Sequence, residues 1–139
     1  MTRDFPILLI EDDVVDVMAL KRAFRDLKVL HPLHVAGNGE EALEHLQDPK
    51  RPMPGLILLD LNMPRMNGID LLKVLKADDR LRRIPVIVLT TSKEQSDRLE
   101  TFNRGIAGYM VKGIDYPEFI EVVRTIQRYW DTSELPPLS

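Results

Sequence analysis

Four short apolar runs in this chain each end in residues able to handle phosphate or metal: ILLI before Glu11 and Asp12, LILL before Asp60, VIVL before Thr90, and YMV before Lys112. Carboxylates brought together repel one another severely unless a hard cation sits among them. Magnesium, or manganese in its place, suits such a set because it takes oxygen ligands, commonly one or two carboxylates plus phosphate oxygens. An aspartate on a rigid tip can also attack a phosphoryl group to give an acyl phosphate, a reaction in which the protein mainly positions groups and neutralises charge. Asp60 is the best nucleophile on that reading. Lys112 could pair with the phosphate, and Thr90 could hydrogen-bond one of its oxygens. Singly, these residues say little, since a lysine after a strand is usually a surface charge and a threonine within one is a good β-former. Their joint placement at the ends of successive runs carries the case.

Such groups meet only if the elements carrying them share an edge. Apolar runs without polar alternation read as parallel strands buried on both faces, and open parallel sheets bind ligands beyond their carboxyl ends. Strand patterns alternate with helical ones five times, which predicts an α/β fold of βα units. Strands are expected at residues 5–11, 33–36, 56–60, 86–90 and 107–112. The first helix carries Val14, Val17, Met18, Leu20, Phe24 and Leu27 as its apolar stripe, with Asp13 as its cap. A Gly37-Asn38-Gly39 turn leads into a helix over 40–47, which Pro49, Pro52, Pro54 and Gly55 stop from propagating. Asn67 caps a third helix bearing Ile69, Leu71, Leu72, Val74 and Leu75. Pro85 opens the fourth strand at a tolerated position. Ser92 and Gln95 resemble a capping box for a helix over 93–103 anchored by Leu99 and Phe102. Asp115, Pro117 and Glu118 start a last helix with Phe119, Ile120, Val122, Val123 and Ile126 inward.

With 139 residues, 44% apolar and 29% charged, the chain suits one soluble domain. No apolar stretch approaches the ~20 residues of a membrane span and no signal-peptide core is present, so a cytoplasmic protein without membrane contact is expected. The absence of cysteine excludes disulfides, thiolate chemistry and thiolate zinc sites. A formal charge of −3 argues against direct nucleic-acid binding, which needs a concentrated basic face. The one basic knot, Arg80, Arg82 and Arg83, reads as a solvated loop.

From about Ile7 to Ile126, the motifs LLIEDD, LILLDLNMPRMNG, PVIVLTTS and YMVK resemble, in order and spacing, the receiver domains of two-component response regulators. The resemblance implies a doubly wound, five-stranded parallel sheet of flavodoxin-like order 2-1-3-4-5 with helices on both faces. It implies Asp60 as the phosphoacceptor for a histidine kinase, Glu11 and Asp12 as metal acids, and Asn62 as a metal ligand through its backbone carbonyl. Thr90 and Lys112 would sense the phosphate, Thr90 moving toward it while Tyr109 reorients inward. One position departs from the pattern: the family usually has a cis-bonded proline after the lysine, whereas this chain has Gly113. A cis bond costs about 2.5 to 4 kcal/mol before glycine and about 0.5 to 1 before proline, leaving open a trans bond or a strained cis one.

The segments IQRYWDTSELPP, ALKRAFRDLKVLHPLHVAGNGEEAL and LKADDRLRRIPVIVLTTS look like the response regulators that serve cyanobacterial and bacterial phytochromes. That likeness implies a stand-alone regulator phosphorylated by a phytochrome-type kinase, without a DNA-binding or enzymatic output domain. Residues 1–128 would form the receiver and 129–139 an arm. Tyr129, Trp130, Leu135, Pro136, Pro137 and Leu138 offer aromatic anchors and a stiff extended segment, from which a two-fold homodimer is expected. Rival readings are a haloacid-dehalogenase-type phosphatase, a flavodoxin-like binder, a receiver serving a relay unrelated to light, and a non-phosphorylated binding module. The phosphatase needs a second acid two positions after the nucleophile, where Asn62 stands. The flavodoxin-like binder needs a glycine- or hydroxyl-rich loop where Glu11, Asp12 and Asp13 would repel phosphate.

Overall fold

Helices cover both faces of the central sheet, which is why the runs Ile7–Ile10 and Leu56–Leu59 contain neither a polar nor an exposed residue. A computed structural model describes residues 5–137. Its five parallel strands are β1 (Ile7–Ile10), β2 (Leu33–Ala36), β3 (Leu56–Leu59), β4 (Val86–Thr90) and β5 (Gly108–Val111), in the order β2-β1-β3-β4-β5. The helices are α1 (Val14–Asp26), α2 (Gly39–Gln47), α3 (Gly68–Ala77), α4 (Gln95–Asn103) and α5 (Tyr116–Thr132). The flavodoxin-like order and the doubly wound arrangement agree with expectation. Arg82 and Arg83 lie in a short 3-10 turn, Leu81–Arg83, that buries Leu81.

Strand residues alternate between two separate cores. Leu8, Ile10, Ile57, Leu59, Val86 and Val88 pack with Leu46 of α2 and Leu71, Leu72 and Leu75 of α3. Ile7, Leu9, Leu56, Leu58, Ile87 and Leu89 pack with Leu20 and Phe24 of α1 and Phe119, Val123 and Ile126 of α5. In-register pairing of Ile7 with Leu56 and of Ile57 with Val86 keeps each set on its own face.

Helix starts are fixed by side-chain caps. Asp13, Asn38, Asn67 and Asp115 each accept a hydrogen bond from a first-turn N–H, satisfying donors that the helix itself cannot. The fourth helix departs from expectation. It begins at Gln95 with Glu94 at the cap position and no capping side chain. Ser92 Oγ instead donates to Asp97 at 2.6 Å and accepts from the Glu94 N–H, so no capping box with Gln95 forms. Leu99 and Phe102 are not anchors either, being 64% and 53% exposed. Thr101 is the buried residue of α4, its hydroxyl satisfied by the Asp97 and Arg98 carbonyls. At about 100° per residue, an inward Thr101 turns both hydrophobic neighbours away.

Two further corrections concern the α1–α5 face. Val14 and Met18 are exposed, and the buried stripe of α1 is Leu20, Ala23 and Phe24. The first turn of α1 stands at the carboxyl edge of the sheet, beyond the strands that would cover it. Trp130 is 1% exposed and belongs to the chain's own core, its ring edge-on to Phe24 at 5.8 Å and to His31 at 5.8 Å. Helix α5 runs on to Thr132, and Phe119, Val123, Ile126 and Trp130 form one stripe at helical spacing. The indole is therefore unavailable as an anchor for a second subunit. Tyr129 and Leu135 stay partly exposed, and Leu138 lies outside the described residues.

Candidate functional site at the carboxyl edge of the sheet

The sheet delivers its polar residues where its hydrogen bonding ends. The Glu11 N–H donates to Ala36 O at 2.9 Å, Asp60 N–H to Ile10 O at 3.0 Å, and Lys112 N–H to Thr90 O at 2.9 Å. Each backbone is thus still held by the neighbouring strand while its side chain projects past the edge. The loop after Asp60 is pinned by Gly68, where a Cβ would lie 2.6 Å from Asp60 O and 2.9 Å from Leu61 Cα. Only glycine lets α3 start that close to the strand tip.

Glu11, Asp12 and Asp60 each bring a carboxylate oxygen within 4.8 Å of the others, as expected. Glu11 and Asp60 are buried and Asp12 is exposed, leaving the cluster open on one side. Lys112, also buried, hydrogen-bonds Glu11 Oε1, and its Nζ lies 2.7 Å from Asp16 Oδ2 and 3.9 Å from Asp60 Oδ1. Burial pushes the Glu11 carboxyl up to about 7, the Lys112 hydrogen bond and charge opposing the rise and the Asp60 charge adding to it. Burial also works against the Lys112 ammonium, but hydrogen bonds to Asp16 and Glu11 and the nearby Asp60 charge outweigh it and hold the amine above the usual lysine range. Glu11, Asp16 and Asp60 around one ammonium, with Asp12 beside the first and last of them, leave a surplus of negative charge. An all-oxygen donor set with that surplus fits a hard divalent cation.

Thr90, at the tip of β4, is fully buried, and its Oγ1 accepts from the Ser92 N–H at 3.3 Å. Tyr109 is half-buried in β5 and donates from its hydroxyl to Ser92 O at 3.0 Å. Asn62 is exposed between buried Leu61 and Met63. The bond between Lys112 and Gly113 is trans, no described peptide bond being cis, and Gly113 has φ +88°. A proline, locked near −65°, cannot take that conformation, so glycine gives this loop a different path.

Asp13 caps α1, accepting from the Val15 and Asp16 N–H groups, as expected. Asp16 escaped the sequence reading. A first-turn acid is ordinarily explained by the helix dipole, and nothing local indicates that Lys112, 96 positions away, reaches it.

A five-stranded sheet in this order, with an acid cluster and a buried lysine at its carboxyl edge, defines a receiver-type domain. The profile of the response regulator receiver domain matches residues 7–124, and the chain belongs to that family. Rcp1, a response regulator of Synechocystis sp., is 33% identical over 135 residues, covering 94% of this chain and 92% of that protein. Its Mn2+-bound crystal structure superposes with a TM-score of 0.89 over 96% of this chain and 99% of that one, at 32% identity. The phosphorylated cyanobacterial phytochrome response regulator RcpA gives a TM-score of 0.91 at 30% identity, over 97% of this chain and all of that one. The probable methanogenesis regulatory protein FilR2 of Methanothrix harundinacea is 33% identical over 129 residues, covering 91% of this chain and 83% of that protein. Among the described residues, no helix is long and apolar enough to cross a membrane.

Proposed function

We propose that this chain is a phosphoacceptor response regulator, with Asp60 taking a phosphoryl group from a histidine kinase. The observation that carries the reading is the buried Asp60 carboxylate at the tip of β3, with Lys112 Nζ 3.9 Å away and two further acids within 4.8 Å. An Asp60 oxygen forms a bond to phosphorus as the P–N bond of a phosphohistidine breaks, and the departing imidazole nitrogen takes a proton from solvent. Lys112 then pairs with the phosphoryl oxygens, Thr90 hydrogen-bonds one of them, and Tyr109 responds through the loop at Ser92. Glu11, Asp12, Asp60 and the Asn62 backbone carbonyl would hold Mg2+, or Mn2+, which when bound neutralises charge on the phosphoryl oxygens. The chain turns over no external phosphoester, because Asn62 cannot act as the acid or base such turnover needs.

The likeness to the phytochrome response regulator RcpA over nearly the whole chain supports a phytochrome-type kinase as donor, and a cytoplasmic setting is part of the same proposal. The comparable identity to FilR2 favours, as a second reading, a relay unrelated to light. The receiver extends through α5 to Thr132, and any self-association engages the partly exposed Tyr129 and Leu135 rather than Trp130. Sedimentation of the full chain and of a Tyr129→Ala, Leu135→Ala variant tests that last point; a monomer at micromolar concentration would remove it.

Labelling by acetyl phosphate or a phosphorylated kinase should be acyl-type, require Mg2+ or Mn2+, and vanish in Asp60→Asn. Undiminished acyl-type labelling in that variant would refute the assignment. Phosphotransfer profiling against the organism's histidine kinases, with a light-sensing kinase as the efficient donor, would decide between the two relays.

A further inference from the structure

We infer that Asp16 is a positioning residue that holds the Lys112 ammonium away from Asp60 in the resting chain and so sets the balance against the phosphorylated state. The inference rests on Asp60 being the phosphoacceptor. Lys112 Nζ lies 2.7 Å from Asp16 Oδ2 but 3.9 Å from Asp60 Oδ1, so the amine is a full hydrogen-bond partner of the helix acid and only an ionic neighbour of the nucleophile. Its other hydrogen bond goes to Glu11, at the end of β1. The two acids differ in their surroundings: the Glu11 side chain is 2% exposed, whereas that of Asp16 is 33% exposed.

A phosphoryl group on Asp60 carries nearly two negative charges in place of the carboxylate's one, and sets its acceptor oxygens beside the amine. Those oxygens compete for the ammonium protons against whichever partner is cheaper to abandon. Leaving Glu11 would deprive its Oε1, the buried oxygen that accepts from Lys112, of its proton donor out of reach of water, even with a cation on the open side of the cluster, while Asp16 can be rehydrated where it stands. Asp16 is therefore the partner released. Its bond to Lys112 opposes the phosphorylated arrangement, because only a contact that differs between two states can bias the equilibrium between them. The ordinary account of Asp16, a first-turn acid favoured by the helix dipole, predicts no dependence on Lys112.

Beryllium trifluoride, a non-covalent stand-in for the phosphoryl group, permits an equilibrium test by calorimetry at saturating magnesium. Asp16→Asn keeps the side-chain shape and removes the charge, and it should bind the analogue about fivefold tighter, the low end of typical coupling because Asp16 is partly solvated. In a Lys112→Ala background, the same substitution should change affinity by less than about twofold, since the coupled contact is gone. Asp16→Glu, which restores the charge, should return affinity toward that of the unaltered chain. Unchanged affinity in Asp16→Asn, an equal gain in both backgrounds, or an Asp16→Glu as tight as Asp16→Asn would overturn the inference. Should the unaltered chain and Asp60→Asn respond alike to the analogue, the phosphoacceptor reading itself fails, and this inference with it.

Discussion

The Tyr109 hydroxyl donates a 3.0 Å hydrogen bond to the carbonyl oxygen of Ser92, while the N–H of the same peptide residue donates to Thr90 Oγ1. One loop residue thus joins the hydroxyl at the tip of β4 to the aromatic ring on β5. On the proposed function, a phosphate at Asp60 would compete for Thr90, and a movement there would reach Tyr109 through a single residue. Thr90→Ala should still accept phosphate to some degree but lose the phosphate-dependent amide shifts over residues 90–112. Tyr109→Phe should keep labelling and cost about 0.5 to 1.5 kcal/mol of stability, the worth of one neutral hydrogen bond. Full shift changes in Thr90→Ala would exclude this route.

Trp130 should behave as a core residue. Trp130→Ala is expected to cost about 3 to 5 kcal/mol in urea unfolding, as large-to-small substitutions at buried aromatic sites do. A chain ending at Arg128 should lose comparable stability, since both changes empty the space against Phe24 and His31. An effect under about 0.5 kcal/mol, the range of ordinary surface positions, would mean that the indole is not packed as described.

Gly113 has φ +88°, and a Cβ there would lie 2.8 Å from Glu118 Cβ. Gly113→Ala should therefore destabilise the chain by about 1 to 2 kcal/mol through backbone strain alone, with the contact adding to it. The same substitution at Gly108, where a Cβ would meet nothing within 4 Å, should be far milder. Equal thermal shifts for the two variants would contradict the loop geometry.

His45 carries a pH dependence of predictable sign. Its Nδ1 accepts a 2.6 Å hydrogen bond from Arg51, and burial, then the Arg51 and His34 charges, lower its pKa from the ordinary 6.5. A base with a depressed folded pKa binds its proton more readily when unfolded, so stability rises with pH in that window. The contribution is complete above about pH 6.5 and is lost as pH falls toward the folded pKa. Urea midpoints between pH 5 and 8 should fall on the acid side, and His45→Gln should flatten that fall. Parallel profiles for the two chains would refute it.

The fold was legible because fully apolar runs such as LILL have no solvent face to tolerate, and each ends where its polar residue must leave the sheet. The acids, Thr90 and Lys112 could be placed by that rule alone. Helix faces were harder to read. Leu99 and Phe102 looked like anchors because hydrophobicity was the available guide, yet a threonine satisfied by its own backbone took the inward position. Trp130 is hard to place for the opposite reason. Its spacing from Ile126, Val123 and Phe119 continued the buried stripe, but nearness to the end of the chain suggested an arm. Asp16 lay beyond reach altogether, since its partner is supplied by a strand at the other end of the sequence.

The sheet also acts as a septum. Among the described residues the buried hydrophobics divide into two clusters, one with α2 and α3 and the other with α1 and α5, with the backbone of the sheet between them. Volume changes in one layer should be energetically deaf to those in the other, paired substitutions across the sheet adding within about 0.3 to 0.5 kcal/mol. Only at the carboxyl rim, where Glu11, Asp60 and Lys112 emerge, do both compartments answer to the same atoms. Away from that rim each helix layer is thus free to be re-tailored for its own contacts, whereas Asp16 of α1 and Gly68 of α3, which touch the rim, are not.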